Sequence, residues 1–317
     1  MGRVSGEGQP VDYDRLLDAE TWAFVRRTAE SYPEDAVSLS IEGQRQVYDA
    51  MCRAFHAGRP EGVQAEDRDA NGVPVRLYWA GQPTRTVVYA HGGGFVLGGL
   101  DSHDDVCAEI CARTGYRVVA VDYRLCPEYR HPAQLDDCLA AVGWAETEFG
   151  DPIVLAGDSA GGNLMAAVTH RLRGQRREIW GQVLIYPLLS ARPEAPSYRE
   201  HAEAPMLSTA DVAFYQSVRF DGPVPQGDPG WAPLSDSDFA GLPPTVAVTA
   251  GCDPLRDDGR DYCAAITAAG GRAAWINEEG LVHGYLRARS SVTRAADSFE
   301  RITLAIEALG QGLWPYD

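Results

Sequence analysis

From residue 85 onward the sequence alternates short apolar runs with stretches of helical periodicity, and no other feature narrows the fold as far. The runs are Thr86 to Ala90, Arg117 to Asp122, Ile153 to Ala156, Gln182 to Tyr186, Thr245 to Thr249 and Arg272 to Ile276. Helical patterns lie near 104–114, 134–148, 161–173 and 257–269, and a last one near 292–309 closes the order. Strand, helix and strand in this rhythm need crossover connections, so the expected class is α/β, with a mostly parallel central sheet and helices on both faces. Just before it, Val63 to Asp69 and Val73 to Trp79 flank Asn71-Gly72, a dipeptide that supplies the positive φ angles of a tight turn. That hairpin is expected to form an antiparallel edge.

Two segments fall outside the rhythm. Residues 13–55 read as two amphipathic helices, with Leu16, Leu17, Trp22 and Val25 in the first and Ile41, Tyr48, Met51 and Phe55 in the second, broken at Ser31-Tyr32-Pro33. Ser190 to Leu242 is too long for an ordinary connection and carries a helical piece at Ser208 to Val218. At roughly 150 residues per domain the length suggests two domains, but no repeat or linker divides the chain. The expected organisation is an N-terminal helical cap segment over 1–58 and one α/β domain over 59–317, with a cap insertion at about 190–242.

Composition removes several chemistries. All 28 basic residues are arginine, so no lysine is present to form a Schiff base, a phosphate loop or a Ser-Lys dyad. A net charge of -17 argues against nucleic acid or an anionic membrane as partner. The seven cysteines are odd in number and scattered, which fits reduced thiols. Cys107 and Cys111 share a helix face, but no histidine or second pair completes a zinc set, so neither metal nor cofactor is expected. The first thirty residues carry acids and no apolar run of signal-peptide length, and no later run reaches eighteen apolar residues. The expectation is a cytoplasmic protein.

Gly157-Asp158-Ser159-Ala160-Gly161 follows an apolar run and opens a helical one, the strand-turn-helix setting of a nucleophile elbow. Chance would give G-x-S-x-G in such a chain with a probability of about 0.16, and a turn with a capping serine reads the same way. His91-Gly92-Gly93-Gly94-Phe95, at a chance of about 0.01, is more specific. Three glycines leave backbone N–H groups unshielded, able to hold a developing oxyanion together with the N–H of Ala160. A phosphate cradle is the rival, but a lysine, a GxGxxG pattern and an immediately following helix are all missing.

A serine nucleophile on this topology takes its acid and then its histidine later in the chain. Of histidines 56, 91, 103, 131, 170, 201 and 283, five precede Ser159 or lie on the helix after it, and His201 falls in the insertion. His283 remains as the base. Asp253, at the end of the run from Thr245, is placed to orient it; Asp257, Asp258 and Asp261 read as first-turn helix acids, and Asp158 as a brace of the elbow.

Together these segments, with Asp122-Tyr123-Arg124-Leu125-Cys126-Pro127-Glu128, Asp253-Pro254-Leu255-Arg256-Asp257 and His283-Gly284-Tyr285, resemble the hormone-sensitive lipase family of α/β-hydrolases, in its bacterial short-chain esterase branch. The resemblance covers roughly residues 60–310. It departs at Cys126, where alanine is usual, and at Tyr285, where phenylalanine is usual. It implies the α/β-hydrolase fold with a helical cap, a cofactor-free serine carboxylesterase acting on small ester substrates, and Ser159, His283 and Asp253 as triad. Gly93, Gly94 and Ala160 would form the oxyanion hole, with His91 and Tyr123 to Glu128 bracing it, and a homodimer would pair through the last strand. The alternatives are a silent ligand-binding member, like the plant gibberellin receptors that lack the histidine, and an amidase or deacetylase on a specific metabolite. Retention of His283 speaks against the first; no residue decides the second.

Overall fold

The computed structural model describes residues 11–33, 39–175, 178–190 and 192–316. Its elements run α1 (Tyr13–Leu16), α2 (Ala19–Ala29), α3 (Ile41–Phe55), β1 (Gln64–Asp69), β2 (Pro74–Trp79), β3 (Thr86–Ala90), α4 (Asp104–Thr114), β4 (Arg117–Val121) and α5 (Ala133–Phe149). They continue β5 (Ile153–Asp158), α6 (Ala160–Leu172), β6 (Ile179–Ile185), α7 (Pro196–Glu200), α8 (Thr209–Val218), β7 (Thr245–Cys252), α9 (Arg256–Ala268), β8 (Ala273–Val282) and α10 (Thr293–Gly310).

The eight strands form one sheet in the order β1-β2-β4-β3-β5-β6-β7-β8. Strands β4, β3, β5, β6, β7 and β8 are parallel, while β2 runs antiparallel to β4 and to β1. The expected hairpin edge is thus present, its turn carrying Asn71 at φ 58° and Gly72 at φ 92°. Every residue of β3, β5 and β7 is buried, which is why these strands read as unbroken apolar runs rather than alternations. Helices α4 and α10 touch each other across one face, α5 and α6 across the other, and α9 covers β7 and β8.

Several boundaries differ from the sequence reading: β6 starts three residues before Gln182, and β7 runs three residues beyond Thr249. The first expected helix is two: Leu17 is extended, and Asp18 restarts the chain as an N-cap whose carboxylate accepts the Thr21 N–H at 2.8 Å. β8 runs six residues beyond Ile276, because a register shift at Ala250/Cys252 lets Val282 pair with Cys252. The insertion holds α7 besides the expected helix; α8 itself starts in a capping box, Ser208 and Asp211 each accepting the other's backbone N–H.

Asp257 and Asp258 do more than complement a helix dipole. Both are fully buried, and Asp258 accepts the N–H groups of Leu189 (2.7 Å) and Ser190 (2.8 Å) and the Ser190 hydroxyl (2.7 Å). It ties the start of the insertion to α9. Among the described residues no helix is long and apolar enough to cross a membrane.

Candidate active site

The parallel strands end on one edge of the sheet, and their C-terminal loops carry the candidate side chains. β5 ends at Asp158, α6 begins at Ala160, and Ser159 between them holds φ 53° and ψ -116°, a strained conformation for a residue with a side chain. The turn is possible because its flanks are glycines. A Cβ on Gly157 would stand 2.6 Å from the Gly161 backbone, and one on Gly161 would run into the Ala90 carbonyl of β3.

β8 delivers His283 and β7 delivers Asp253 to this turn. His283 Nε2 lies 2.9 Å from Ser159 Oγ, and Nδ1 lies 2.7 Å from Asp253 Oδ2. Asp253 is fully buried, and its other oxygen accepts the Leu255 N–H at 2.9 Å. With Nδ1–H donating to the carboxylate, Nε2 is left as the acceptor for the serine proton. The Tyr186 ring packs 4.7 Å from the imidazole.

The glycine loop leaves β3 and passes over the elbow. Asp158 holds it there, accepting the Gly92 N–H (2.9 Å) and the Tyr89 hydroxyl (2.8 Å), with His103 Nε2 at 3.3 Å. Burial works to raise the Asp158 carboxyl, but the charge and hydrogen bond of His103, with that of Tyr89, hold it far below the usual carboxylate range. His91 stacks on Tyr123 with ring centroids 4.3 Å apart, and the Tyr123 hydroxyl donates to the His91 carbonyl at 2.7 Å. Burial pushes the His91 imidazole down to about 4, so at neutral pH it is an uncharged packing group. Below it, Arg45 donates to the carbonyls of Val96 and Cys126, both at 2.9 Å, and pairs with Glu128. Gly93, Gly94 and Ala160 line the same cavity as Ser159 and His283, with Ala160 at the positive end of α6.

That cavity holds about 400 Å³. α2 contributes Val25, the turn after it Tyr32, α3 Tyr48 and Met51, and the 190–242 segment Leu207, Val212 and Tyr215. Sequence reasoning missed these walls, the Tyr89 and His103 partners of Asp158, and Arg287. Only Tyr89 carried a signal, a hydroxyl within the buried run of β3. All seven cysteines are free and buried. Burial pushes the Cys111 thiol up to about 11 and Cys107 well above its ordinary value, so neither supplies a thiolate. Among the described residues no cluster of three or more potential metal ligands occurs.

Residues 87–287 match the family model described as the alpha/beta hydrolase fold. The chain is 38% identical over 316 residues to carboxylesterase NlhH of Mycobacterium tuberculosis, covering 94% of this chain and 92% of that one. Among solved structures, the hyperthermophilic esterase of the archaeon Pyrobaculum calidifontis superposes with a TM-score of 0.84 at 29% identity, over 93% of this chain and 99% of that one. An esterase from the bacterial hormone-sensitive lipase family gives 0.84 at 26% identity, over 92% and 98%. On sequence, topology and the order of its motifs, the chain belongs to the α/β-hydrolase-fold family, within the hormone-sensitive-lipase-like esterases.

Proposed function

We propose that this chain, a carboxylic ester hydrolase by its kinship with relatives 33–38% identical over most of its length, is a serine esterase of short-chain acyl esters. The observation that carries the reading is the unbroken hydrogen-bonded line Asp253–His283–Ser159 opening on a cavity of about 400 Å³. His283 takes the Ser159 proton as the oxygen attacks the ester carbonyl, and Asp253 stabilises the imidazolium. The N–H groups of Gly93, Gly94 and Ala160 hold the tetrahedral oxyanion; losing one such donor costs roughly 3 kcal/mol. His283 then protonates the leaving alkoxide, and water, deprotonated by the same imidazole, releases the acid from Ser159. In this reading α1–α3 and the 190–242 insertion form the cap, and the limited cavity favours acetyl to hexanoyl chains over long ones.

The test is hydrolysis of 4-nitrophenyl acetate, butyrate and dodecanoate by wild type and Ser159→Ala. The expected loss in Ser159→Ala is at least about 10³-fold in kcat, with butyrate preferred to dodecanoate. Equal rates in the two proteins would end the esterase reading, and a dodecanoate preference its short-chain part.

A further inference from the structure

The cavity around Ser159 is apolar where Val25, Met51, Leu207 and Val212 face it, yet one of its walls is a cation, Arg287. Arg287 lies in the 3-10 turn Tyr285–Ala288 that follows His283, so one short segment sets both the imidazole and the guanidinium. Nη2 donates to the Tyr48 hydroxyl, and the guanidinium carbon sits 4.9 Å from the centre of the Tyr48 ring. Nε is buried without a hydrogen-bond partner. Nη1 is the nitrogen that a Cβ on Gly284 would approach to 3.0 Å, and the guanidinium also shares a side-chain hydrogen bond with the neutral Cys52 thiol.

The missing partner is a carboxylate. Arg289, two residues on, has Asp105 and Glu109 each at 2.7 Å, whereas among the described residues no acid lies within 4.0 Å of Arg287. Asp158 is the acid whose charge reaches it, but the Asp158 oxygens already accept from Tyr89, Gly92, His103 and Tyr186. The remaining neighbours, Tyr48, Tyr186 and Cys52, are kept neutral by burial. Arginine does not lose its proton, and a partly buried guanidinium without counter-charge is costly to keep. Its planar fork matches a carboxylate in a way the surrounding hydroxyls do not.

We propose that Arg287 determines specificity by receiving a carboxylate carried by the ester itself, so that half-esters of dicarboxylic acids and other carboxylate-bearing esters are preferred to neutral ones. This rests on the esterase reading above. The outer surface cannot supply that recognition, because a net charge of -17 repels an anionic substrate at long range. Within the cavity, a contact at hydrogen-bond distance outweighs that screened field.

Two pairs of probes separate the side of the ester that bears the charge. On the acyl side 4-nitrophenyl hydrogen glutarate is compared with 4-nitrophenyl pentanoate; on the alcohol side 4-carboxyphenyl butyrate is compared with its methyl ester. For at least one pair the wild-type ratio of kcat/KM, charged over neutral, exceeds one, falls at least about tenfold in Arg287→Gln and recovers to within about threefold of wild type in Arg287→Lys. Calorimetric titration with glutarate gives binding to wild type and the lysine variant and none to the glutamine variant. Ratios below one on both pairs, or ratios and glutarate binding that do not differ among the three proteins, overturn the proposal. Titration needs no turnover, so it judges Arg287 even if Ser159→Ala shows the esterase reading to be wrong.

Discussion

Two buried aspartates near the site are displaced in opposite directions, and the cause is what each accepts from. Asp158 faces an imidazole that can carry charge and stays ionised. Asp258 is surrounded by neutral donors; burial raises it, the bonds from Ser190 and Leu189 offset that in part, and the carboxyl ends at about 6. The folded protein therefore holds the Asp258 proton to higher pH than the unfolded chain does. Stability from this group is present below about 4 and is lost as pH rises through 6, by at most roughly 3 kcal/mol. Asp104 has the opposite sign: burial raises it, but Arg59 and Tyr78 outweigh burial and bring it to about 2, so its contribution is lost on acidification. Urea unfolding of wild type and Asp258→Asn between pH 4 and 7.5 is expected to show a downward step between pH 4 and 6 in wild type that the variant lacks. Parallel curves for the two proteins would refute the assignment.

At the scale of elements, α8 meets the glycine loop at two places, its C-cap Arg219 over the Phe95 ring at 3.6 Å and Tyr215 at Gly94. The Tyr215 ring occupies the space that a Cβ on Gly94 would need, and Gly94 itself has φ 61°. Gly94→Ala is expected to lower kcat/KM on 4-nitrophenyl butyrate by about 10²-fold, and Tyr215→Ala by on the order of tenfold. In the double variant the two losses should fall short of their sum by at least about 1 kcal/mol, since the smaller side chain gives the alanine room. Strict additivity would show that α8 does not press on the loop. The strands were legible because complete burial of β3, β5 and β7 leaves continuous apolar runs; motif and chain order singled out Ser159, Asp253 and His283, which lie within hydrogen-bonding distance of one another. Tyr215, Tyr48 and Arg287 were not legible. Their approach depends on the paths of connecting loops, and α7, five residues beginning at a proline, is too short to leave a periodic trace.

At the scale of the molecule, a chain of net charge -17 carries a cation, Arg287, on the wall of its cavity. The eight strands form a single sheet, and residues of α2, α3 and α8 line the cavity beside Ser159. The free thiols are distributed through these layers: Cys52 on α3 above the cavity, Cys107, Cys111, Cys138 and Cys263 on helices against the sheet, Cys252 on β7 and Cys126 under the glycine loop. Each is buried, so alkylation must wait for local opening, and the order in which they react is a clock of how the protein comes apart. Pulsed iodoacetamide labelling read by mass spectrometry in rising urea is expected to mark Cys52 first, as the helices over the cavity lift, and Cys107, Cys111 and Cys138 together only at global unfolding. Simultaneous labelling of all seven would mean that these helices and the sheet unfold as one cooperative unit.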